Sequence, residues 1–157
     1  MSETSPYMNG SSNTHITKAL TSVLADMFVL YFKTHAYHWN VVGPHFKALH
    51  DLFGEQYTEL WTAIDEVAER IRALGAPAPL SVAHMIKESN LQETGQCPDD
   101  LGMIQALLSD HRRIVETLYT ALRIAQDSSD EATVDLLIGR IHIHEKSAWM
   151  LESLSRR

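Results

Sequence analysis

The sequence lacks the features that stabilise small secreted domains and anchor membrane proteins. Cys97 is the only cysteine among 157 residues, which excludes an intrachain disulfide and a cysteine-based zinc site. No apolar run approaches the ~20 residues that a membrane-spanning helix needs. The first residues also lack the basic-then-apolar pattern of a signal peptide. These absences predict one soluble, cytoplasmic domain.

Positive charge is also scarce. The chain has 13 Lys and Arg residues against 20 Asp and Glu residues, and its formal net charge is −7. Residues 1–17 contain neither Lys nor Arg, and the C-terminus adds only Arg156 and Arg157. Because DNA binding requires clustered cations that contact phosphates, this composition argues against an extensive DNA-binding surface. A negative surface instead attracts cations.

Hydrophobic periodicity predicts an all-α protein. Residues 1–13 are polar and predict a flexible tail, whereas residues 14–157 carry apolar residues at steps of three and four. Four long helices are expected, with Gly43 and Pro44 separating the first two. Ser81 is suited to cap a short helix over residues 81–88, between the second and third long helices. The predicted architecture is therefore a four-helix bundle with a short extra helix in that connection.

Histidine is abundant, with nine residues in the chain. Four of them lie within sixteen residues, namely His35, His38, His45 and His50. Such clusters bind metals, although histidine also fills half-buried positions. Bundles that hold two irons within one subunit use Glu-x-x-His steps, and no histidine here has a glutamate three residues before it. A di-iron centre inside a single bundle is therefore not expected.

Two carboxylates on the second helix offer a different site. Asp65 and Glu69 are four residues apart and share one helical face, which is either a solvated stripe or half of a metal site. His50 precedes Asp65 by fifteen residues, roughly 22 Å along a helix. No single ion spans that distance. If His38, His50, Asp65 and Glu69 form one site, two subunits must meet antiparallel about a two-fold axis, which creates two equivalent sites.

These residues occur in two recognisable blocks. The segments HWNVVGPHFKALH (38–50) and DEVAERIRALG (65–75) closely resemble the Dps family, the miniferritins of the ferritin-like superfamily. The spacings between the two histidines and the two acids also match that family. HEKSAWMLE (144–152) is similar to the family's last helix. The resemblance covers about residues 14–154 and implies a ferritin-like four-helix bundle.

The resemblance also implies a function. Dps proteins form dodecameric hollow shells with ferroxidase centres at their two-fold dimer interfaces. They oxidise Fe²⁺ preferentially with hydrogen peroxide and store ferric oxide inside, which protects the cell against oxidative damage. By resemblance, His38, His50, Asp65 and Glu69 are the metal ligands and catalytic residues of a two-iron centre. Zinc or manganese could compete, since these ligand types do not separate the ions.

The sequence departs from the family at Gly54. Dps proteins usually carry an acid four residues after the second histidine, and that acid contributes to the iron pair. Asp51 and Glu55 flank Gly54 but lie on other parts of the helical turn. The second iron is therefore expected to be held weakly. His35, one turn before His38, is a candidate to supplement the site.

Trp39 follows the first histidine and resembles the family's aromatic residue beside the centre. It is a candidate for transferring an oxidising equivalent. Tyr57 and Trp61, four residues apart on the second helix, are weaker candidates for the same role. Packing at an interface is the alternative for Tyr57 and Trp61.

A second acidic group surrounds the start of the fourth helix. Asp127, Glu131 and Asp135 are spaced four and four, which predicts a single negative face. In the Dps family, acids in this region line three-fold pores that admit iron. The alternative is an ordinary solvated face.

Two functions remain open from the sequence. The first is an iron-sequestering ferroxidase, and the second is a nucleoid-associated, DNA-protecting structural protein with a weak or vestigial metal centre. The full set of four ligands favours the first, and the absence of a basic tail argues against the second. DNA binding is expected to be weak or absent and to be lost as salt rises.

Overall fold

The computed structural model describes residues 10–156, and within this range the chain forms five helices and no strand. The helices are α1 (Gly10–Asn40), α2 (Phe46–Ala73), α3 (Val82–Glu88), α4 (Asp100–Asp127) and α5 (Glu131–Ser155). The predicted all-α bundle with a short extra helix is confirmed. None of the described helices is both long enough and apolar enough to cross a membrane.

Helix α1 begins earlier than predicted. The predicted tail at residues 1–13 falls partly outside the described residues, but residues 10–13 are helical. Asn13 is buried, and its side-chain amide donates a hydrogen bond to the Leu74 carbonyl oxygen at 3.1 Å. This contact joins the first turn of α1 to the last turn of α2. Because it is a tertiary contact, local sequence patterns could not reveal it.

The turn between α1 and α2 contains Gly43, as the sequence predicted. Gly43 has φ of +115°, a backbone conformation that side chains with a Cβ rarely adopt. Helix α1 ends at Asn40 and α2 begins at Phe46, so the turn is slightly longer than the sequence predicted. The turn brings the end of α1 beside the start of α2.

The core forms between two helical hairpins. Helix α1 packs along α2, α4 packs along α5, and α1 joins the two hairpins by packing against α4. The largest buried side chains follow the three- and four-residue steps of the predicted stripes. They include Leu20, Leu24, Met27, Leu30, Phe53, Leu60, Ile71, Met103, Leu107 and Ile114.

A buried carboxylate attaches the long connection to the bundle. Asp26, fully buried on α1, accepts hydrogen bonds from the Ser89 hydroxyl at 2.8 Å and the Asn90 backbone N–H at 2.6 Å. It also accepts one from the Thr117 hydroxyl at 2.8 Å. These donors compensate the cost of burying a charge. Asp26 therefore holds the segment after α3 against α1 and α4.

Replacing Asp26 with alanine is expected to lower the free energy of unfolding by about 3 kcal/mol, because several donors lose a charged acceptor. Urea unfolding followed by circular dichroism at fixed protein concentration measures the change. The control is Glu116→Ala, which removes an exposed ion pair with Arg113 on α4. That variant should stay within about 0.5 kcal/mol of the wild type. Equal losses in both variants would contradict the assigned role of Asp26.

Candidate metal centre

Two histidines meet where α1 passes into α2. His38 in the last turn of α1 and His50 in the first turns of α2 have stacked rings, with centroids 3.8 Å apart and planes at 18°. The Nδ1 atom of His38 lies 2.7 Å from the backbone carbonyl oxygen of His50. The Nδ1 atom of His50 lies 2.8 Å from the carbonyl oxygen of His38. The two residues therefore hold each other through reciprocal hydrogen bonds.

These hydrogen bonds determine where the ring protons lie. A carbonyl oxygen can only accept, so each Nδ1 must be the donor and carry a proton. In a neutral imidazole the lone pair then lies on Nε2, which is the atom available to a metal ion. Histidine ligands in proteins commonly use this arrangement, with one ring nitrogen bound to a carbonyl and the other to the metal. Both rings therefore keep Nε2 available as a metal ligand while Nδ1 is held by the backbone.

Asp65 and Glu69 lie elsewhere on the same helix. Both side chains are exposed on the second half of α2, one turn apart. Within residues 10–156 of one chain, no three histidine, cysteine, aspartate or glutamate side chains converge to hold a metal ion. The structure therefore brings His38 and His50 together and leaves the two acids as a separate pair, so each subunit carries two halves of a possible site.

Arg70 anchors the turn of α2 that carries Glu69. Its Nε donates to the Thr133 hydroxyl at 2.9 Å, and its Nη2 donates to the Asp130 carboxylate at 2.8 Å. Asp130 caps the N-terminus of α5. Burial alone would raise the pKa of Asp130, but hydrogen bonds from Thr133 and Arg70 hold that pKa below its usual value. In the sequence, Arg70 is one residue of the segment DEVAERIRALG with no role of its own. The structure shows that it positions this part of α2 against the start of α5.

Gly54 lies directly beside the histidine pair. A Cβ atom at this position would be 3.2 Å from Cε1 and 3.3 Å from Nδ1 of His38. Any side chain here would push against a ring that is already held by its hydrogen bond. Nearby, the Asp51 carboxylate is paired with Lys47 in an exposed ion pair. Gly54 therefore leaves room for the His38 ring and supplies no carboxylate.

Aromatic side chains surround the pair on its outer side. His35 stacks on Tyr57 with ring centroids 3.7 Å apart, and its Nδ1 lies 3.1 Å from the Tyr31 hydroxyl. Burial, and then the electrostatic influence of the neighbouring His38, lower the pKa of His35. The ring centroids of Trp39 and His35 are 4.3 Å apart, and those of Trp61 and Tyr31 are 5.4 Å apart. His35 therefore joins an aromatic cluster next to the pair.

The predicted acidic row is divided between two helices. Asp127 is the last residue of α4, whereas Glu131 opens α5 and Asp135 follows one turn later. All three are exposed. The step from Asp127 to Glu131 crosses the break between the helices, so only Glu131 and Asp135 share a helical face. The three acids therefore do not lie on one continuous helix, and their lining of an iron-entry pore stays a prediction.

A polar network that sequence reasoning missed fills the core behind the site. An open cleft of about 1100 Å³ has His38, His50, Glu59 and Arg140 among its lining residues. Arg140 is buried, and both of its terminal nitrogens bind the Glu59 carboxylate. It also lies 3.0 Å from Nε2 of His144.

The network continues into the bundle through a pair of buried histidines. Nδ1 of His144 lies 3.0 Å from Nδ1 of His111. His111 lies in the core on α4. Burial first, and then the charge of Arg140, lowers the pKa of His111 to about 3. The pKa of His144 also lies well below its usual value, because of burial and then the charges of His111 and Arg140.

The amino-acid sequence is similar to those of known ferritin-like proteins. The sequence model of the ferritin-like domain matches residues 17–157. The chain is 40% identical over 141 residues to DNA protection during starvation protein 2 of Bacillus anthracis, which covers 90% of this chain and 97% of that relative. The chain therefore belongs to the ferritin-like family.

Solved structures narrow the resemblance to the Dps proteins. The Dps protein of Vibrio cholerae O1 superposes with a TM-score of 0.93 at 31% identity, covering 99% of this chain and 98% of that chain. Dps from Bacillus brevis superposes with a TM-score of 0.91 at 34% identity, covering 95% and 100%. The resemblance to Dps inferred from residues 38–50 and 65–75 is confirmed.

The buried histidines predict a pH dependence of stability. Because their folded pKa values lie below the ordinary 6.5, the unfolded chain binds protons first as the pH falls. Their contribution to stability is complete above pH 6.5 and decreases as the pH falls below that value, for His111 down to about pH 3. The expected loss is about 1 kcal/mol per pH unit for each histidine.

Urea unfolding at about pH 6 and pH 5 measures this slope. His111→Gln should reduce the slope by about half, because one of the two linked groups is removed. His142→Gln, on an exposed position of α5, is the control and should leave it unchanged. An unchanged slope in His111→Gln would show that these histidines do not control the acid sensitivity.

Proposed function

We propose that this protein is an iron-sequestering ferroxidase. Fe²⁺ is its substrate, held by His38 and His50 of one subunit together with Asp65 and Glu69 of another. Hydrogen peroxide is the preferred oxidant, and the ferric product is stored as oxide inside a hollow shell. The observation that carries the proposal is the histidine pair, whose reciprocal hydrogen bonds leave both Nε2 atoms available to a metal ion.

The donor set suits this chemistry. Imidazole nitrogen and carboxylate oxygen together bind iron, and they also bind zinc and manganese, which are expected to compete. Carboxylates are hard anions that stabilise Fe³⁺ more than Fe²⁺, so they favour the loss of an electron. Peroxide accepts two electrons, one from each of two Fe²⁺ ions, which avoids release of a hydroxyl radical. The solved relative from Vibrio cholerae is described as a ferritin-like diiron-carboxylate protein, which supports the assignment.

The exposed surface around the histidines supports assembly. Phe32, Trp39 and Trp61 are 52%, 58% and 63% exposed in the single chain. A cluster of large exposed aromatic side chains marks a protein interface. A two-fold partner on this face would cover the aromatics and bring its Asp65 and Glu69 to the histidines. We extend this dimer to a cytoplasmic dodecamer, in which Asp127, Glu131 and Asp135 line the iron-entry pores.

Removing either half of the site is expected to abolish rapid oxidation. The test loads Fe²⁺ without oxygen, adds hydrogen peroxide and follows ferric absorbance in His50→Ala and Asp65→Ala. His45→Ala and Glu66→Ala are matched controls, since both side chains are exposed, His45 lies between the two histidines in sequence and Glu66 follows Asp65. Slow oxidation in both site variants and wild-type rates in both controls are expected. Wild-type rates in the site variants would contradict the proposal.

Mixed assemblies test whether the site lies between subunits. When His50→Ala and Asp65→Ala chains assemble together at random in equal amounts, half of the dimers are mixed. Each mixed dimer has one intact site, made of the histidines of one chain and the acids of the other. About a quarter of the wild-type rate should return on that arithmetic. No recovery, in mixtures shown to contain mixed dimers, would indicate a site within one chain.

The second candidate function is a DNA-protecting structural role in the nucleoid. The name of the Bacillus anthracis relative favours it, and the charge of this chain opposes it. We expect weak or no DNA binding near physiological ionic strength, because residues 1–17 contain no Lys or Arg to contact phosphate.

Gel shifts with linear duplex DNA across a salt series measure this binding. Any retained DNA at low salt should be released as salt rises, as expected of binding that depends on few phosphate contacts. Arg156→Ser is a useful variant, because it removes an exposed charge at the C-terminal end whose ion pair with Glu152 is long at 3.6 Å. A salt-resistant complex would contradict the expectation and favour the structural role.

A further inference from the structure

Tyr57, His35 and Tyr31 form a chain of contacts that starts at the histidine pair. The Tyr57 ring lies 5.2 Å from the His38 ring, and Tyr57 stacks on His35 at 3.7 Å with the planes at 11°. The Tyr31 hydroxyl lies 3.1 Å from Nδ1 of His35. All three are half-buried, and they connect the proposed oxidation site to a phenol that has its own imidazole partner.

That partner changes what the phenol can do. A phenol that loses an electron also releases its proton readily, and the proton needs an acceptor within hydrogen-bond distance. An imidazole nitrogen at 3.1 Å meets that geometric requirement. If Tyr31 donates to Nδ1 of His35, the hydrogen bond already follows the path that the proton would take. The geometry therefore allows Tyr31 to lose an electron and a proton together.

The chemistry at Gly54 creates a need for such a group. Because Gly54 supplies no carboxylate beside His38, Fe²⁺ ions are expected to react singly for part of the time. A single Fe²⁺ gives hydrogen peroxide one electron, which yields Fe³⁺, hydroxide and a hydroxyl radical. The radical is one electron short of hydroxide. A nearby donor could supply that electron before the radical escapes.

We propose that Tyr31, with His35 as its proton acceptor, supplies this electron and stores the oxidising equivalent as a tyrosyl radical. The inference rests on the proposed ferroxidase function. The hydroxyl radical gains one electron and becomes hydroxide, the phenolic proton moves to Nδ1 of His35, and Tyr31 becomes the neutral radical. A second Fe²⁺ then returns one electron to Tyr31, and the proton returns from His35. Over the cycle, two Fe²⁺ and one peroxide become two Fe³⁺ and two hydroxides.

The first experiment needs no iron. The metal-free protein is oxidised by azide radicals in pulse radiolysis, and the tyrosyl absorbance is followed. Tyr31→Phe keeps the ring and removes the hydroxyl, whereas His35→Phe keeps a ring against Tyr57 and removes the proton acceptor. Both variants should lose most of the tyrosyl signal. Tyr119→Phe, at an exposed position on α4, is the control and should keep it. An undiminished signal in Tyr31→Phe would overturn the proposal.

The second experiment tests the role during iron oxidation. Fe²⁺-loaded protein receives limiting peroxide, and samples are frozen for electron paramagnetic resonance while a spin trap records hydroxyl radical. In Tyr31→Phe the tyrosyl signal should disappear and the trapped hydroxyl radical should increase, with Fe²⁺ oxidation continuing. Unchanged trapping would overturn the role of Tyr31 during iron oxidation.

The two experiments distinguish a failure of the proposed ferroxidase function from a failure of the inference about Tyr31. If the wild type gives a tyrosyl radical with azide but does not oxidise Fe²⁺ rapidly, the ferroxidase function fails and the iron-linked role of Tyr31 fails with it. If the wild type oxidises Fe²⁺ rapidly and Tyr31→Phe changes neither the radical signal nor the trapping, only the inference about Tyr31 fails. Circular dichroism spectra of the variants confirm that each is folded.

Discussion

The reciprocal hydrogen bonds between His38 and His50 are the constraint on which the candidate centre depends. They join the last turn of α1 to the first turns of α2 across the turn at Gly43, and they place a proton on both Nδ1 atoms. One local arrangement thus stabilises the turn and prepares two nitrogen ligands. Because each ring is held by the backbone of the other residue, movement of either side chain would disturb both.

Helix α2 separates the two halves of the proposed site, and among residues 10–156 of one chain no three metal-binding side chains converge in the core. Where α2, α4 and α5 face each other, Arg140 binds Glu59 and approaches His144, which pairs with His111. The Glu59 carboxylate in this network is thus already paired with a guanidinium. Asp65 and Glu69, by contrast, are exposed on α2, where another subunit can reach them.

The absence of a side chain at Gly54 and the aromatic cluster belong to one physical account. Gly54 leaves room for the His38 ring but supplies no carboxylate, so in the proposed centre we expect a weaker hold on a second Fe²⁺. Chemistry with single iron ions leaves odd electrons, and the neighbouring Tyr31, His35 and Tyr57 are arranged to donate and return one. The same face carries the exposed tryptophans that a second subunit would bury.

The sequence by itself determined the helices and the half-sites. Apolar spacing predicted four long helices and the short one, because local periodicity and capping residues such as Ser81 act over a few residues. Helical rise alone showed that His50 and Asp65 cannot share an ion within one chain. Only the tertiary structure decided the helical start at Gly10, the contact of His38 with His50, and the Arg140 network. Those features depend on residues distant in sequence, whose approach is determined by packing rather than by local pattern.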